Sequence, residues 1–158
     1  MFKRILVPID GSHTADLGLD EAIKVAKDQD ALLFLFHVVD EHSIVQYASA
    51  GMGGASDGGF EEILDSMREA GKQLIANAEA KARHEAVPTE SLLVEKMMGP
   101  ISDLIIEQAR KWNADLIVLG THGRRGIRRI VMGSDAEGVV RATPVPILLV
   151  RSQHLPKP

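Results

Sequence analysis

The chain has 158 residues, 45% of them hydrophobic and none of them cysteine, with a formal charge of −4 and a mean hydropathy of +0.01. That length supports one well-buried core and falls short of two ordinary domains, and the missing cysteines exclude a disulfide framework, a thiolate nucleophile and any cysteine-ligated zinc. No apolar run approaches the roughly 20 residues a membrane helix needs, and the run in MFKRILVPID is too short for a signal-peptide core, so a soluble, cytoplasmic chain without a membrane partner is expected.

Taken in order, Phe2 to Ile9 is an apolar run broken by Asp10-Gly11-Ser12. It reads as a strand entering a turn, with Ser12 available to cap a helix. Leu19, Ala22, Ile23 and Ala26 then recur at helical spacing, the mark of a helix with one buried stripe. ALLFLFHVV, residues 31–39, is apolar almost throughout, as suits a strand of a parallel sheet covered on both faces.

From Asp40 to Gly59 periodicity fails, and GMGGASDGG (51–59) reads as a surface loop. It lacks the Lys-Ser/Thr ending of a Walker A loop. Ile63, Met67, Leu74 and Ala78 predict a long helix ending before Val87-Pro88, and SLLVEKMM after it a third strand. Gly99-Pro100 opens another helix with proline in its first turn, and Ile101, Leu104, Ile105 and Trp112 form its apolar face. ADLIVLG (114–120) is a fourth strand, a helix opens at Ser134, and VPILLVR supplies a fifth strand. Strands alternating with helices of this length predict β-α-β units, hence a doubly wound α/β domain with a mainly parallel sheet. Ligands of such sheets bind at the carboxyl ends of the strands, where the winding direction reverses. Asp10, Val38 and Gly120 stand at or just beyond such ends.

The overall negative charge argues against nucleic-acid binding, yet the charge is unevenly spread. Residues 120–151 carry six arginines (124, 125, 128, 129, 141 and 151) against Asp135 and Glu137. Within that region lies GTHGRRGIRRIVMGS. Glycines let a backbone turn sharply and let a ligand approach main-chain amides, and a helix opening at Ser134 adds unpaired N–H groups and a partial positive charge. Both features suit phosphate. Arginines 124, 125, 128 and 129 can clamp oxyanions through paired hydrogen bonds or stand as ordinary solvated loop charges.

The spacing G-x2-G-x9-G-S, made by Gly120, Gly123, Gly133 and Ser134, resembles the nucleotide loop of the ATP-binding branch of the universal stress protein family. MFKRILVPIDGS, LFHVVDE, NADLIVLGTHG and TPVPILLVR resemble the family's other landmarks in order, so the likeness spans 1–151 and leaves 152–158 as a polar tail. The resemblance implies a five-stranded parallel sheet in the order 3-2-1-4-5. It also implies an adenine-nucleotide site for ATP with Mg²⁺: Pro8 and Asp10 beside the adenosine, with Asp10 near the ribose or a phosphate-bound metal, and Val38 at the adenine edge. Leu119, Gly120 and Gly123 would lie under the ribose and phosphates, and Gly133 and Ser134 would hold the phosphate tail. It further implies a homodimer, paired here through Val145–Val150.

Asp135 departs from the pattern, standing where the family often has a small or apolar residue. A carboxylate there favours the helix dipole but competes with phosphate for the same amides. Either it faces solvent and caps, or it reaches the phosphates through Mg²⁺, an ion commonly shared between a carboxylate and a nucleotide. His37 reads as a core histidine and Trp112 as a packing residue. His122 sits in the glycine loop with no carboxylate partner evident, and no H-x-x-x-H or H-E-x-x-H spacing supports a zinc hydrolase. Three functions remain open: an ATP-binding regulatory or sensor module, a slow ATPase or phosphoryl-transfer enzyme, and a dimeric interaction module that works without ligand. Fast phosphoryl transfer needs a group that orients the attacking oxygen, and the sequence supplies none that can be identified.

Overall fold

Ile5, Leu6 and Val7 are each at most 1% exposed, and this burial of successive residues fixes β1 (Arg4–Pro8) as the central strand of the sheet, covered on both faces. Fully burying such side chains stabilises the fold by about 1.5–3 kcal/mol each. The computed structural model describes residues 1–41, 57–96, 98–121 and 133–152. After β1 come α1 (His13–Gln29), β2 (Leu32–Asp40), α2 (Asp57–His84), β3 (Thr89–Lys96), α3 (Ile101–Lys111), β4 (Leu116–Gly120), α4 (Ser134–Ala142) and β5 (Ile147–Val150).

The four strand pairings among the described residues are parallel, and the order across the sheet is β3-β2-β1-β4-β5, as the family resemblance implies. Alternation along the strands sends Ile5, Val7, Leu33, Leu35, Leu116 and Val118 to the face covered by α1 and α2. Leu6, Phe34, Phe36, Ile117 and Leu119 point to the other face, under α3 and α4. The helices therefore lie on both faces, and the winding reverses between β1 and β4.

Two boundaries differ from the sequence reading. The long helix begins at Asp57, so the last three residues of GMGGASDGG continue a helix whose buried Leu64 packs with Val39 at the end of β2; two adjacent glycines weaken a helix without forbidding it. The third strand begins at Thr89, two residues before SLLVEKMM, because the β2–β3 ladder already holds Leu33 opposite Thr89. Residues 42–56, including the first part of the glycine-rich segment, lie outside the described residues.

Trp112 packs as expected. It is 9% exposed, stacks on Phe34 with ring centroids 4.9 Å apart, and donates from Nε1 to Glu90 at 2.7 Å. The Arg4 guanidinium lies 4.0 Å over its ring and donates from Nε to its carbonyl. Asp115 accepts the main-chain N–H groups of Lys3 and Arg4. These contacts tie the amino ends of β1 and β4 together and leave the carboxyl ends to other work.

Candidate functional site

At its carboxyl end β1 leaves the sheet through a turn built by Asp10. Oδ1 of Asp10 accepts the Ser12 N–H at 2.9 Å, Gly11 takes a left-handed φ of 77°, and Ser12 Oγ caps α1 by accepting the Ala15 N–H at 3.2 Å. The carboxylate of Asp10 thus helps to shape the turn. Pro8 pairs in register with Phe36, and Val38 follows two residues on, half-buried with Phe36 on the face shared with α3 and α4. The β1–β4 register sets Leu6 opposite Ile117, and continuing it brings Pro8 level with Leu119. Pro8, Val38 and Leu119 therefore line the same rim of the sheet, an apolar ledge at the point where the winding reverses.

Beyond β4 the chain is held on both sides. Thr121, 5% exposed, donates its N–H to the Val150 carbonyl at 2.9 Å, and its own carbonyl accepts the Gly133 N–H at 2.9 Å. The second bond brings the tip of α4 beside the end of β4. Gly133 is the N-cap, extended at φ −61° and ψ 150°, and has no side chain with which to cap. The N–H groups of a helix's first turn have no partner within the helix, so this end of α4 is suited to an anion. Ser134 and Asp135 are exposed there, and Glu137 in the same helix binds Arg141 at 2.6 Å. Gly123, His122 and arginines 124, 125, 128 and 129 lie outside the described residues.

Gly120 does a job that its place in the glycine pattern does not reveal. A Cβ at 120 would lie 2.6 Å from the Thr14 carbonyl carbon and oxygen, so the missing side chain makes room for the first turn of α1. His37 behaves as a core histidine: it is 5% exposed, and its Nδ1 lies 2.7 Å from the Ile9 carbonyl. A carbonyl only accepts, so Nδ1 carries the proton. Sequence reasoning overlooked Thr121, whose two main-chain bonds join β4, β5 and α4, and the Ser102–Gly138 contact between α3 and α4. A glycine in the middle of a nine-residue helix is the one signal that pointed to the latter.

The topology defines a doubly wound α/β protein whose winding reverses between β1 and β4. The chain belongs to the universal stress protein family, whose model matches residues 1–151. Universal stress protein MJ0531 of Methanocaldococcus jannaschii is 32% identical over 151 residues, which cover 96% of this chain and 83% of that one. YxiE of Bacillus subtilis, another universal stress protein, is 30% identical over 151 residues, covering 96% and 100%. Among solved structures, the fold matches that of hypothetical protein MJ0577 with a TM-score of 0.82 at 23% identity, over 98% of this chain and 99% of that one. Two similar folds were solved with nucleotides. One is a universal stress protein in complex with cAMP (TM-score 0.60, 21% identity, 95% and 97% covered), the other that of Archaeoglobus fulgidus in complex with dAMP (TM-score 0.62, 21% identity, 95% and 98% covered). Among the described residues no helix is long and apolar enough to cross a membrane.

Proposed function

We propose that this protein binds an adenine nucleotide, ATP with Mg²⁺, at the carboxyl ends of β1 and β4, and serves as a cytoplasmic regulatory or sensor module. The observation that carries this reading is the Gly133 N–H bond to the Thr121 carbonyl, which keeps the amide-bearing tip of α4 beside the end of the switch strand. The donor set fits the ligand: an apolar ledge of Pro8, Val38 and Leu119 suits a base and sugar, and a helix tip without a capping side chain suits phosphate. In this reading the main chain at Val38 meets the adenine edge and Asp10 turns toward the ribose. Gly120 and Gly123 run under the phosphates, Gly133 and Ser134 hold the tail, and Asp135 stands at its end.

Among the described residues no group of three or more acidic or histidine side chains could hold a metal. Mg²⁺ in this reading arrives on the nucleotide and supplies neutralisation of its phosphates. The homodimer is proposed to form through Val145–Val150. Its support is that among the described residues β5 pairs only with β4, leaving an edge with Leu149 38% exposed.

Calorimetric titration of the intact protein with ATP, ADP, AMP and cAMP, with and without Mg²⁺, tests the reading. Saturable binding that weakens on Gly133 substitution is the expected result. A folded protein that shows no saturable binding at millimolar nucleotide overturns it.

A further inference from the structure

Helix α4 spans only nine residues, too short to hold its shape alone, so its position depends on what it docks against. Val139 is fully buried and packs in one core cluster with Ile105 and Ala109 of α3, and Ala136 is 7% exposed. The residue between them in the contact, Gly138, faces Ser102 in the first turn of α3. A Cβ at 138 would lie 2.5 Å from Ser102 Oγ and 2.7 Å from Ser102 Cβ. Ser102 is 5% exposed, and its Cβ is fixed to the backbone of α3, so it cannot swing aside. Glycine inside a helix costs about 1 kcal/mol relative to alanine. Close approach of the two helices accounts for its presence here.

The tip of α4 lies four residues ahead of Gly138, about 6 Å along the axis. Among the described residues two contacts stand nearest that tip: the Gly133–Thr121 hydrogen bond at its start and the Gly138–Ser102 contact about one turn further in. We infer that Gly138 and Ser102 are positioning residues for the phosphate tail. They set how closely the first-turn amides of α4 approach the phosphates, while the ledge on β1, β2 and β4 receives the nucleoside independently. A methyl group at 138 forces α4 away from α3 and shifts its tip, whereas the ledge stays where it is.

This inference rests on the nucleotide reading above, and its test separates the two. Affinities for ATP and for adenosine are measured by calorimetry on the wild-type chain, on Gly138→Ala, and on Gly138→Ala combined with Ser102→Gly, with circular dichroism checking the fold of each. The expected result is an ATP affinity about tenfold weaker in Gly138→Ala with adenosine binding unchanged. Ser102→Gly, which removes both atoms that the new methyl meets, then restores ATP binding. Equal loss for both ligands, no loss for either, or failure of the double variant to recover overturns the positioning role. A wild-type chain that binds neither ligand overturns the nucleotide reading itself.

Discussion

Gly120 lies so close under α1 that a Cβ there would meet the Thr14 carbonyl carbon and oxygen at 2.6 Å and the Ala15 nitrogen at 2.8 Å. All three are backbone atoms of a helix, so no rotamer change relieves the collision. From the other side, a Cβ on Gly18 would come within 3.4 Å of the Gly120 nitrogen. The first turns of α1 and the end of β4 are thus packed backbone to backbone. Gly120→Ala is expected to destabilise the protein by about 1–3 kcal/mol, the usual cost of overpacking a fitted site. Urea unfolding followed by circular dichroism measures it, with a lower midpoint and an unchanged slope. A midpoint equal to that of the wild type would show that α1 is free to retreat.

The fold was legible in the sequence because its signals are local. Apolar runs such as ILV and LLFLF mark strands buried on both faces, and Leu19, Ala22, Ile23 and Ala26 keep helical spacing and are all buried. The family's glycine spacing pointed to the end of β4 and the start of α4, and the Thr121–Gly133 bond joins those two segments. The tasks of individual glycines were not legible. A glycine in a sequence reports that a side chain is unwelcome, but the neighbour that excludes it lies elsewhere in the chain. Gly120 makes room for Thr14, Gly138 for Ser102 and Gly71 for His37 and Leu93, all pairings that only the packed structure reveals.

Gly71 offers a second test of packing. A Cβ there would lie 2.7 Å from Cδ2 of His37 and 2.8 Å from Cδ1 of Leu93, beneath the middle of α2. Alanine would improve helix propensity by about 1 kcal/mol, yet the overpacking it creates costs about 1–3 kcal/mol. A net loss of stability is expected from Gly71→Ala. In a Leu93→Ala background one of the two obstructing side chains is gone, so the same substitution should cost less there, with a coupling of at least about 0.5 kcal/mol in the double-mutant cycle. Additive effects would place the two residues out of contact.

Arg68 on α2 grips Glu95 on β3 with two hydrogen bonds, from Nε at 2.6 Å and from a terminal nitrogen at 3.0 Å. The guanidinium holds the Glu95 carboxyl below its ordinary value of 4.5. A carboxyl lowered in the folded state adds stability above its unfolded pKa, and the addition is lost as pH falls through the lower folded value. Wild type should therefore exceed Glu95→Gln in stability at pH 7, with the gap closing as pH drops below about 4.5. Because Glu95 is exposed, the gap should be small and should shrink in high salt. Thermal midpoints of the two proteins from pH 7 to pH 3, at low and high salt, measure it. A gap that widens toward acid would assign the pair no electrostatic role.

Asp135 brings a negative charge to the end of α4 where the nucleotide reading puts phosphate. It is exposed in the first helical turn, two residues beyond the Gly133 N-cap. In the absence of ligand a carboxylate at that position favours the positive end of the helix dipole, a contribution of about 0.3–1 kcal/mol. When phosphate arrives at the same end, the two negative charges compete for one field. Asp135→Asn should therefore lower thermal stability slightly and, in EDTA, tighten ATP binding about two- to fivefold, the range that such a dipole contribution converts to. Adenosine, which carries no phosphate, should bind both proteins equally. If ATP instead binds the variant more weakly, and only when Mg²⁺ is present, the carboxylate shares the metal with the phosphate tail rather than repelling it.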